Sequence, residues 1–133
     1  MAIDIIARAL AVNGGSSGGG GDEPLNTNYI IIGTSTSTTV NQALLDSLQT
    51  KTKSGGIARN LGTINCGSGA YIYYAFPSRL GRVKFLQYGL EGGFESAVEI
   101  NYTNSEGVTE SFVVYRSSHL LDGNVAGIEA IKI

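Results

Sequence analysis

The sequence is short of the residues from which most catalytic and metal centres are built. Its 133 residues hold one histidine, His119, and one cysteine, Cys66. Zinc needs about four clustered nitrogen and sulfur ligands, and two such residues far apart in the chain do not supply them. A lone cysteine excludes an intrachain disulfide and fits assembly in a reducing cytoplasm. Long apolar runs are missing too. No stretch of about 18 apolar residues occurs, so no membrane span is expected. The opening "MAIDIIARALAVN" has Asp4 and Arg8 inside its apolar stretch and no basic front, so it does not read as a signal peptide. Without secretion, the Asn101-Tyr102-Thr103 sequon reads as plain strand. Excess positive charge is also absent: the net charge of -2 and pI of about 5.3 argue against a nucleic-acid partner.

Catalytic patterns are equally sparse. "SGGIARNLG" lacks the Lys-Ser/Thr ending of a phosphate-binding loop and follows no strong strand. Ser117 or Ser118, His119 and Asp122 make a triad on paper, but they crowd into one loop. A working triad takes its members from separate rigid elements. Glu91, Glu95 and Glu99 sit in or beside a glycine-rich turn, and nothing in their spacing makes them converge as a glycosidase pair would. The expectation is no catalysis and no cofactor.

What the chain does have is glycine, 19 in all. The block "GGSSGGGG" at 14–21 has no side chains to pack and reads as a tether. Before it, Ile3, Ile6, Ala7 and Leu10 recur at helical spacing, with Asp4 and Arg8 one turn apart. A helix this short is marginal alone in water, so it gains order by laying its apolar face on a partner, the alternative being a frayed terminus that folds back on its own domain. The layout expected is an anchor peptide over 1–13, a tether over 14–22 and a folded domain over 23–133.

Within that domain "YIIIG" (29–33) is a short β run, followed by a polar loop at 34–39. Thr39 and Gln42 have the capping-box form. Val40, Ala43, Leu44, Ser47 and Leu48 then share one face of a helix about a dozen residues long, which Gly55-Gly56 ends. Lys51 and Lys53 complement its C-terminal dipole. Strands follow: "IARNLGTIN" weakly, "AYIYYAF" strongly, then "RVKFLQY", "SAVEINYT", "VTESFVVYR" and a final "VAGIEAIKI". "NSEG" with Gly107 is the hairpin turn between the fourth and fifth of these. The fold class expected is mainly β: a small antiparallel β-sandwich with one short helix, preceded by a flexible anchor peptide.

The run "YIYYAFPSRLG" concentrates aromatics where a strand should be. Tyr71 and Tyr73 face one way, and Ile72, Tyr74 and Phe76 the other. A strand apolar on both faces has to be covered twice, by a second sheet or by a neighbouring subunit. Symmetric self-association is the ordinary route, so these five residues are the candidate subunit interface. Pro77 should end the strand, with Arg79 turned outward and Leu80 inward.

Here a resemblance enters. The order "YIYYAFPSRLG…GLEGGFES…NYTNSEGVTESFVVYRS…LLDG", over about residues 69–123, resembles a module of small head-fibre and decoration proteins of tailed bacteriophages, nearest to those of the crAss-like gut phages. The resemblance implies a virion structural protein that forms a homotrimer on the capsid surface after assembly in the bacterial host cytoplasm. Its N-terminus would hold a major or auxiliary capsid protein, with other fibre proteins as further neighbours. The alternative is a host-surface module in which Tyr88, Tyr102 and Tyr115 stack on glycans.

Overall fold

The computed structural model describes residues 29–57, 59–91, 93–94 and 97–133. The anchor residues Ile3, Ile6, Ala7 and Leu10, the tether at 14–22, and Glu95 lie outside the described residues.

A five-stranded antiparallel sheet forms the centre of the domain. Its members are β1 (Tyr29–Ser35), β2 (Thr50–Lys53), β4 (Tyr71–Pro77), β7 (Val98–Thr103) and β8 (Thr109–Arg116), in the order β2-β1-β4-β8-β7. The aromatic strand β4 is the middle one, paired with β1 on one side and β8 on the other. Two smaller sheets complete the β structure. One joins β10 (Ile128–Lys132), β5 (Val83–Gln87) and β6 (Leu90–Glu91), and the other joins β9 (Asn124–Val125) to β3 (Ile64–Asn65).

Alternation along β4 sends its side chains into two separate cores. Ile72, Tyr74 and Phe76 pack with Val83, Phe85, Ile128 and Ala130 of the three-stranded sheet. Tyr73 and Ala75 pack with Leu44, Leu45 and Leu48 from the helix, and with Tyr102 and Phe112. The strand's two apolar faces are therefore covered within one chain, by a second sheet and by a helix. This corrects the interface reading: Ile72, Tyr73, Tyr74 and Phe76 expose 0% of their surface. Tyr71 is half-buried, with Arg116 stacked 4.4 Å from its ring centre. None of the four buried residues presents a face to a neighbouring subunit.

The helix is shorter than its sequence pattern predicts. α1 spans Gln42–Ser47, and Asn41 rather than Thr39 caps it, its Oδ1 accepting from the Leu44 N–H at 2.9 Å. Asparagine caps at least as well as threonine, and its position lets Leu44, Leu45 and Leu48 point at the sheet. The chain leaves the helix at Leu48 and forms the edge strand β2, in the stretch expected to be its last turns. Lys51 still serves the C-terminus: its ammonium donates to the carbonyls of Asp46 (2.9 Å) and Leu48 (2.7 Å), reaching back from β2.

Other boundaries fall near expectation. Pro77 is the last residue of β4, and a 3-10 turn at Ser78–Leu80 follows it, with Arg79 exposed and Leu80 against the first core. The C-terminal run is broken into β9 and β10, because Gly127 adopts a φ of 76° between them.

Candidate functional site

Of the three tyrosines expected to meet glycans, two are buried. Tyr102 exposes 2% and Tyr115 6% of its surface. The Tyr115 hydroxyl accepts from the Val83 N–H at 3.1 Å, and the Tyr102 hydroxyl donates to Asp46 Oδ1 at 3.3 Å. Both side chains join sheets or join helix to sheet, and neither can stack on an external ring. Tyr88 is different: it follows β5 with φ of 51° and is 73% exposed. Its ring lies over Gly127, where a Cβ would fall 2.4 Å from Tyr88 Cε1, so one ring face is covered.

The loop after β8 holds the serine–histidine group. Ser117 is buried; its hydroxyl accepts from the Ile72 N–H and donates to the His119 carbonyl, both at 3.0 Å. That hydroxyl ties the loop to the start of β4. Ser118 Oγ lies 3.1 Å from His119 Nδ1 on an exposed loop. Glu99 pairs with Arg82 at 3.0 Å, and that hydrogen bond, helped by Ser78, draws its carboxyl below the ordinary range. Among the described residues no group of three or more His, Cys, Asp and Glu is placed to hold a metal ion.

A groove of about 580 Å³ lies between the β1–β2 edge and the segment around β3. Ile32, Leu61 and Ile64 give it apolar surface, and Thr34, Thr50 and Thr63 line it with hydroxyls. The amide of Gln49 in its wall is committed to Thr34, and that of Asn65 to the Gly67 N–H. Among the described residues lining the groove, Cys66 supplies the one titratable group. Burial, and secondarily the charge of Asp122, push its thiol pKa up, so it stays protonated near neutrality and is a poor nucleophile. The groove offers shape and neutral hydrogen bonding, without a proton donor or acceptor poised for catalysis. Nothing in the sequence marks it, since its lining comes from three separate segments of the chain.

No protein-family model, no curated protein and no solved structure matches this chain.

Proposed function

We propose that the chain is a virion structural protein, a capsid-attached head fibre or decoration protein that acts without catalysis as a homotrimer. Residues Ile3, Ile6, Ala7 and Leu10 bind a major or auxiliary capsid protein, and the Gly/Ser block spaces the β domain from the shell. The supporting observation is where the motifs that resemble fibre modules meet. The aromatic strand β4 and the Val-Tyr-Arg strand β8 are neighbours in the central sheet. Phe94 of the Gly-Gly-Phe turn bridges to Ser117, just past that strand, and stacks on Phe85 with ring centres 4.1 Å apart. Leu121 of "LLDG" pairs with Ala70 at the start of β4. Motifs scattered over some fifty residues thus make one packed unit, as a module does.

Trimer contacts, on this reading, use exposed surface rather than the aromatic core. Among the described residues, Val98 (47% exposed) on the edge strand β7, Val108 (37%), Leu120 (52%), Ile133 (72%) and Tyr88 (73%) are the large apolar side chains available for them. The test is proteomic and hydrodynamic together. Peptides of the chain should copurify with particles of the virus that encodes it, and should be lost when residues 1–13 are deleted. The isolated chain should have three times the monomer mass of 13.9 kDa in solution. Absence from particles, or full occupancy after the deletion, overturns the capsid assignment; a monomer overturns the trimer. A second reading, host-surface glycan binding, keeps the exposed Tyr88 as its one surviving aromatic.

A further inference from the structure

The three-stranded sheet ends in a notch that gathers positive charge on an acidic protein. Residues 59–61 run along the outer edge of β10: the Leu61 N–H donates to the Ile128 carbonyl at 3.1 Å, and the Ala130 N–H to the Arg59 carbonyl at 2.7 Å. The loop at Gly55-Gly56 then diverges from the last residues of β10. Between them and the Ser78–Leu80 turn lies a cavity of about 460 Å³. Ile57, Leu80, Ala130 and Ile131 form its apolar part, and Arg59, Arg79 and Lys132 are its charged residues, with no acid among the described lining residues.

The three cations are held differently. Arg79 is fixed by Glu110, its Nε and Nη2 donating to the two carboxylate oxygens at 2.8 and 3.3 Å. The aliphatic stem of Lys132 runs over Gly81, where a Cβ would lie 3.1 Å from Lys132 Cε. That contact keeps the ammonium beside the Ser78–Leu80 turn. Arg59 and Lys132 are both exposed, and among the described residues neither forms an ion pair. The nearest acid along β10, Glu129, lies outside the cavity's lining. Beyond Lys132, the Ile133 N–H donates to the Arg82 carbonyl at 3.0 Å, which turns the chain toward β5.

We infer that this notch binds an acidic saccharide unit, its carboxylate between Arg59 and Lys132 and its ring against Ile57 and Leu80. The volume is that of a small-molecule site and exceeds what a bare inorganic anion fills. Exposed cations favour an anion without a large desolvation cost. The apolar wall has no aromatic ring and is short, which suits the C–H face of a sugar better than a lipid tail. The inference is independent of capsid attachment. It gives host-surface binding a location away from Tyr88, and it stands or falls separately from the presence of the chain in particles.

The test is a titration of the full-length 15N-labelled chain with 3′-sialyllactose, glucuronate, lactose and sodium sulfate. Saturable amide shifts at Gly55, Gly56, Arg59 and Lys132 are expected with both acidic sugars, weakening as salt rises, with lactose silent. Arg59→Gln combined with Lys132→Gln should weaken binding at least tenfold, whereas Lys51→Gln, on the edge strand β2 beside the end of α1, should leave it unchanged. All three side chains are exposed, so the variants are expected to fold, and circular dichroism checks it. Equal response to lactose, shifts centred elsewhere, shifts with sulfate alone, or full binding by the double variant would each overturn the proposal.

Discussion

The side-chain amide of Gln42 binds both backbone groups of Thr103: Nε2 donates to the carbonyl at 2.8 Å, and Oε1 accepts from the N–H at 2.9 Å. A primary amide carries the donor and acceptor of a peptide unit. Gln42 thus stands in for one residue of a missing sixth strand at the outer edge of β7. It also ties α1 to a strand 61 residues away in sequence. Gln49 does the same for Thr34 of β1, accepting from its N–H at 2.7 Å and donating to its carbonyl at 3.1 Å. That contact continues the β1–β2 ladder past its last pair, Ile32 with Thr50.

Gln42→Ala removes both bonds and uncovers the Thr103 end of the edge. The groups it frees reach water, so the expected cost is about 1–2 kcal/mol, read as a lower urea midpoint with an unchanged slope. Gln42→Glu keeps the length but loses the donor to the carbonyl, and should be no better than alanine near neutral pH. A change under about 0.5 kcal/mol for Gln42→Ala would show that the two bonds only replace equivalent bonds to water.

Gly33 has a stricter requirement. A Cβ there would lie 2.4 Å from Gln49 Oε1, 2.6 Å from the Gln49 backbone nitrogen and 2.9 Å from Leu48 Cβ. The first contact can relax by moving a side chain; the second is backbone and cannot. Gly33→Ala should therefore cost about 2 kcal/mol or more, as overpacking does. It should also release Gln49 from Thr34, seen as faster hydrogen exchange at Thr34. Wild-type exchange and stability in the variant would mean that the helix exit moves aside freely.

How far these features are legible in the sequence differs with their range. The two-sided pattern of Tyr71 to Phe76 is local, so the position and double burial of β4 can be read directly. What covers each face depends on contacts with Val83, Phe85 and Ile128 on one side and Leu44, Leu45 and Leu48 on the other. Alternation contains no information on that choice, and the subunit reading fails there. The helix length misleads for a related reason. Thr50 to Lys53 has no strong preference, and pairing with Tyr29 to Ile32 decides that it is strand. Tyrosine exposure is illegible in the same way: Tyr88, Tyr102 and Tyr115 look alike until the fold separates them. The notch around Arg59 and Lys132 leaves no signature, because three distant segments build it.

Burial of Ile72 within one chain makes a prediction about concentration. Ile72→Ala opens a cavity in the core shared with Phe85 and Val113. The expected loss is about 2–5 kcal/mol, and it should be the same at low and high protein concentration. An interface residue behaves otherwise, since its loss appears as weaker association and a midpoint that shifts with concentration. Thermal unfolding followed by circular dichroism over a hundredfold dilution separates the two. A concentration-dependent loss would restore β4 to a subunit seam.

Tyr102 makes stability depend on alkaline pH. Desolvation first, then the charge and hydrogen bond of Asp46, push its hydroxyl up to about 12. In the unfolded chain a tyrosine titrates near pH 10, so folding holds this proton more tightly than unfolding does. The contribution is complete below about pH 10 and disappears as pH rises to about 12. Over that window the phenolate, once formed, would face Asp46 across the 3.3 Å contact without a proton between them. Tyr102→Phe removes the titration at the cost of one hydrogen bond, about 1 kcal/mol. The wild type should lose about 1–3 kcal/mol more than the variant between pH 9.5 and 12, with Tyr73, also raised mainly by burial, leaving a residual slope in both. Parallel curves for the two proteins would place Tyr102 in contact with solvent and remove Asp46 as its partner.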